Sequence, residues 1–126
     1  MEEIIEKLKS IEFDHQSWSR ELLGMLEEIK FYEHRVAHLV DGTDDEESLS
    51  QLGVLVKGFD ELKTSVNGLY LKVKAHVLDI SQRVASNGHF EEMIDSDHLK
   101  TMADMEDIRI KEAALKERVH RLSKSS

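Results

Sequence analysis

The chain is predicted to be all-α, an antiparallel up-down-up bundle of three long helices. Three observations predict it. Apolar residues recur in alternating steps of three and four along most of the chain. Proline, the strongest helix breaker, is absent. Two short polar stretches containing glycine, Asp41-Gly42-Thr43-Asp44-Asp45 and Ser86-Asn87-Gly88, divide the pattern into three segments of similar length.

Helix one is expected at about residues 2–40. Its seam runs Ile4, Leu8, Ile11, His15, Trp18, Leu22, Met25, Ile29, Tyr32, Val36, Leu39, with His15 the strongly polar member. A helix cannot bury such a seam against itself, so the rest of the chain has to cover it. Ser10 to Trp18 is the weakest part, and Asp14 could cap a new helix there. A break at residues 10–14 would turn the fold into a four-helix bundle. The seam holds its phase across this stretch, which favours one helix. In the first reversal Gly42 suits a helix C-terminal cap, and Thr43 to Asp45 offer N-caps for the next helix.

Helix two is expected at about residues 46–85, with the seam Leu52, Leu55, Phe59, Leu62, Val66, Leu69, Val73, His76, Ile80. Val56, Tyr70, Val77 and Val84 widen its apolar face. Gly53, Gly58 and Gly68 weaken the isolated helix, so its stability must come from packing. Helix three is expected at about residues 89–123. Its seam reads Phe90, Ile94, His98, Met102, Met105, Ile108, Glu112, Leu115, Val119, Leu122, and the register slips between Leu99 and Met105. The whole chain, residues 1–126, is one domain's worth of sequence. A dimer that completes a larger bundle is a further possibility.

Composition narrows the function. A net charge of −9 disfavours nucleic acid and anionic membrane surfaces as partners. No run approaches the roughly 18 apolar residues of a membrane span, and the charged start MEEIIEKLKS does not read as a signal peptide. The expectation is a soluble, cytoplasmic protein. With no cysteine there is neither a thiolate nucleophile nor a thiolate metal site. Neither a serine elbow nor a phosphate-cradling loop is present, so an enzyme is not the favoured reading.

The residues that suggest chemistry are the three seam histidines. In antiparallel hairpins, residues equidistant from a turn share a height. With turns near residues 44 and 87, His15, His76 and His98 fall in one layer, one per helix. Glu12, Asp79 and Asp95 each stand three residues from a histidine, all on the same side of the layer, and Asp14 and Asp97 are nearby candidates. Imidazoles and carboxylates from facing helices are what bundles use to hold Zn, Fe or Mn. Metal binding at His15, His76 and His98, with Glu12, Asp79 and Asp95 as ligands or outer partners, is therefore the leading expectation. A polar layer that fixes register or responds to pH is the plainer reading. The alternative function is a non-enzymatic interaction or scaffolding bundle, in which the widened apolar face of helix two recruits a protein partner or a second copy. His34 and His38 form an i, i+4 pair that reads as incidental because His34 points away from the seam, and His89 and His120 are expected to be solvated.

His15-Gln16-Ser17-Trp18, His76 late in helix two and Asp97-His98 early in helix three resemble small uncharacterised helical proteins of Bacteroidetes-type bacteria. The resemblance implies a bacterial origin and no activity. The His and carboxylate pairs are only loosely similar to those of hemerythrin-like and ferritin-like bundles. Glu12-Phe13-Asp14-His15 is a single Glu-x2-His, and Asp95-Ser96-Asp97-His98 has Asp in place of Glu. Di-iron chemistry does not follow from these.

Overall fold

The computed structural model describes the backbone of residues 2–84 and 90–125, and the side chains of residues 6, 7, 9–76 and 98–124. It contains three helices, α1 (Glu2–Asp41), α2 (Glu46–Val84) and α3 (Phe90–Ser125). The fold is the all-α three-helix bundle that the periodicity predicts. α1 runs without a break through residues 10–14, so the four-helix alternative falls away. At about 1.5 Å per residue α1 is roughly 60 Å long. No helix among the described residues is long and apolar enough to cross a membrane.

The first reversal is closed by side chains. The Thr43 hydroxyl donates to the Leu39 carbonyl at 2.7 Å, satisfying one of the carbonyls left over at the end of α1. Gly42 stays out of the left-handed region and keeps a backbone bond to His38, so the turn uses threonine chemistry rather than a glycine cap. Asp45 starts α2. Its carboxylate accepts from the Ser48 amide at 3.3 Å and the Ser48 hydroxyl at 2.9 Å. The second reversal lies outside the described residues.

The seams of α1 and α2 pack as read from Ile11 to Leu39 and from Leu52 to His76, and the side chains of Ile4, Leu8 and Ile80 lie outside the described residues. Leu22, Ile29, Val36, Leu55, Phe59, Val66 and Val73 are almost wholly buried, and Tyr32 stacks on Phe59 with ring centroids 5.9 Å apart. Each such side chain contributes about 1.5–3 kcal/mol by leaving water. That far exceeds the roughly 1 kcal/mol that a mid-helix glycine costs, which is how α2 tolerates three of them.

The seam of α3 corrects the expectation at one point. Met102 is exposed, and Thr101 takes its place at full burial. With Thr101 the series His98, Thr101, Met105, Ile108, Glu112, Leu115, Val119, Leu122 keeps the three–four alternation throughout. The apparent slip arises from choosing the larger, more apolar neighbour.

α1 and α3 run parallel, and four polar side-chain pairs between them stand 88 residues apart. Arg109 Nε donates to Glu21 at 2.6 Å, Lys116 pairs with Glu28, Tyr32 and His120 meet at 3.4 Å, and Arg35 donates to Ser123 at 3.4 Å. Glu21, Glu28 and Arg35 are successive heptad positions, as are Arg109, Lys116 and Ser123. These flanking positions are the ones that set partner alignment in coiled coils.

Two glycines separate propensity from packing. A Cβ on Gly24 would meet nothing within 4 Å, whereas one on Gly58 would lie 2.8 Å from Leu115 Cδ2. Gly24→Ala is expected to stabilise the protein by about 1 kcal/mol in urea unfolding. Gly58→Ala is expected to gain clearly less, or to lose stability, because Leu115 must move.

Candidate functional site

The three seam histidines do come together. The His15 ring lies 6.1 Å from the His76 ring and 5.9 Å from the His98 ring, centroid to centroid. Trp18, one turn on from His15, places its indole 5.3 Å from His15 and 5.0 Å from His98. The layer thus sits one heptad step beyond the main apolar core, with the indole as its floor. His15 is 2% exposed, and His76 and His98 are half-buried.

Hydrogen bonds assign the ring nitrogens. His15 Nδ1 lies 2.7 Å from the Ile11 carbonyl, one turn back on its own helix. A carbonyl only accepts, so Nδ1 carries the proton and Nε2 keeps a lone pair. His98 Nε2 lies 3.1 Å from Asp14 Oδ2, which makes Nε2 the donor there and, in the neutral ring, leaves the lone pair on Nδ1. Both remaining nitrogens, His15 Nε2 and His98 Nδ1, are buried without a hydrogen-bond partner. An orphaned buried polar atom costs about 1–3 kcal/mol. Burial pushes the His15 pKa below 6.5, and the neighbouring His98 and His76 push the same way. The Ile11 carbonyl and Asp14 oppose them. A neutral His15 is the form that offers its nitrogen to an electrophile.

The predicted carboxylates fare differently. Glu12 is exposed, while its neighbour Asp14 is the acid that reaches the layer. The side chains of Asp79, Asp95 and Asp97 lie outside the described residues, as do those of Val77, Val84 and all of His89. Val56 is 51% exposed, and Tyr70 is half-buried with Lys74 Nζ 4.8 Å above its ring. His34 and His38 are exposed and line a shallow groove of about 540 Å³ with Phe31 and Arg35. His120, expected to be solvated, is exposed but engages the Tyr32 hydroxyl.

A second polar interruption, Glu112, sits deep in the bundle. Its Oε1 lies 3.3 Å from Lys116, which also reaches Glu28, and its Oε2 is buried without a partner. Burial raises the Glu112 pKa above 4.5, nearby Glu28 and Glu21 add to the rise, and Lys116 opposes it. The seam position was legible in the sequence. The lysine bridge between two acids was not, because it depends on the α1–α3 alignment.

Among the described residues, no group of three or more His, Cys, Asp or Glu stands where it could hold a metal ion. No family model matches the chain, and no curated protein or solved structure is significantly similar to it.

Two pH dependences follow, of opposite sign. For His15 the folded pKa is below the unfolded one. Below about pH 6.5 the unfolded chain takes up a proton that the folded chain resists, and stability falls. Urea unfolding in chelator at pH 7.5 and 5.5 should show wild type losing stability relative to His15→Leu across that interval. The loss is bounded by about 1.4 kcal/mol per pH unit. For Glu112 the folded pKa is the higher one, so the stability that its neutral form contributes is lost as pH rises. Glu112→Leu should therefore stabilise at pH 7 by about 1 kcal/mol. The advantage should shrink as the solution is acidified toward pH 4.5.

Proposed function

We propose that this bundle is a small non-enzymatic protein that binds a divalent transition-metal ion at its histidine layer. The observation that carries the reading is the pair of buried, unpartnered imidazole nitrogens, His15 Nε2 and His98 Nδ1, on rings 5.9 Å apart. An ion held at the usual 2.0–2.1 Å from each nitrogen fits between such rings. It would relieve both desolvated lone pairs at once. His76 supplies the third donor by turning about its side-chain torsions, and water completes the shell. Imidazole donors suit Zn and Fe better than Mn, which prefers oxygen ligands. Asp79 and Asp95 keep their place in this reading as acids one turn from the layer.

The test is a thermal melt of metal-free protein with Zn added in steps. A native-state ligand stabilises by about 2.7 kcal/mol at a hundred times its dissociation constant, so the melting temperature should climb with concentration. The climb should vanish in His15→Leu and weaken strongly in His76→Ala. A wild-type melt indifferent to Zn, Fe and Mn, together with no metal in elemental analysis of untagged protein, would end the reading.

A further inference from the structure

We propose that Asp14 is the positioning residue of the histidine layer, holding His98 in the form that presents Nδ1 inward. The proposal rests on the metal reading above, but the geometry behind it does not.

An imidazole offers a lone pair from whichever nitrogen lacks the proton, and a hydrogen bond at one nitrogen decides the matter for the other. The layer solves this problem twice, by different means. In His15 the orienting acceptor is backbone, the Ile11 carbonyl at 2.7 Å, and it comes with the helix itself. In His98 the acceptor is a side chain on another helix, Asp14 Oδ2 at 3.1 Å. Asp14 immediately precedes His15 in α1, so one helix positions both rings. The consequence is an asymmetric donor pair, Nε2 from α1 and Nδ1 from α3, both buried without partners on rings 5.9 Å apart. Glu12, the acid that spacing alone puts forward on α1, is exposed. The acid that matters is offset by two residues because His98 approaches from α3 rather than from the same helix.

A carboxylate that orients a metal-binding histidine typically contributes 10- to 100-fold in affinity. The Asp14 side chain is 39% exposed, which favours the lower part of that range.

The experiment uses the full chain as wild type, Asp14→Asn and Asp14→Ala, each checked for unchanged helicity. Long-range 1H–15N spectra of the metal-free proteins at pH 8 report which nitrogen of each histidine is protonated. His98 is expected as the Nε2–H form in wild type and as a mixture of forms in Asp14→Ala. Asp14→Asn should largely restore the wild-type form, since the amide oxygen still accepts. His15, held by backbone, should keep its form in all three. Zn affinity should fall about tenfold in Asp14→Ala and less in Asp14→Asn. An unchanged His98 form in Asp14→Ala overturns the proposal, as does unchanged Zn affinity when the form has shifted. If wild type binds no Zn, the metal reading fails while the nitrogen spectra still decide whether Asp14 orients His98.

Discussion

Burying the seam of α1 forces the other two helices into a common heptad phase. Each apolar step on α1 has to meet a matching step on α2 and on α3, or a large side chain is stranded in water. Tyr32 over Phe59 and the histidine layer are two points at which this phase match is directly visible. The match also explains why polar residues can sit in the seam. Thr101, Glu112 and His15 are carried inside because their neighbours one step up and down are buried, not because they prefer it. Their burial is a cost imposed by the architecture, and each has to find what compensation the adjacent helices offer.

The compensation is uneven, and the unevenness is informative. Glu112 receives a lysine at one oxygen, while its other oxygen has no partner. The histidine layer receives one backbone acceptor and one carboxylate, each on the side of a ring that leaves the opposite nitrogen pointing into protein. A seam that needed only to fill space would use leucine at all of these positions. Three imidazoles at one height instead leave two buried nitrogens, His15 Nε2 and His98 Nδ1, without partners. Trp18 beneath the layer keeps bulk water from one side of it.

Much of this was legible from the residues alone. Helix number, the first reversal, the seams of α1 and α2 and the common height of His15, His76 and His98 all follow from counting steps of three and four. Three things were not. Thr101 was passed over because hydropathy favours Met102, although phase favours the threonine. Asp14 was second to Glu12 because an i, i+3 rule describes neighbours on one helix and says nothing of an acid reaching a ring on another. Gly42 invited a left-handed cap, but the Thr43 hydroxyl was close enough to end the helix without one. In each case the deciding contact comes from the alignment of elements or from a single side-chain bond, which periodicity does not encode.

The polar ladder between α1 and α3 allows a question about alternative alignments of the same chain. Sliding α3 by one heptad in one direction sets Lys116 against Arg35, which repel, but Arg109 against Glu28, which attract. Sliding it the other way sets Arg109 against Asp14 and Lys116 against Glu21, and both new pairs attract. Surface charge therefore guards weakly against one of the two errors and not at all against the other. Both are penalised inside the bundle, where either would carry His98 away from His15 and Trp18 and take from Asp14 the ring it now holds. The histidine layer serves as the second stop, and a chain without it would have to choose between two electrostatically acceptable alignments on packing alone.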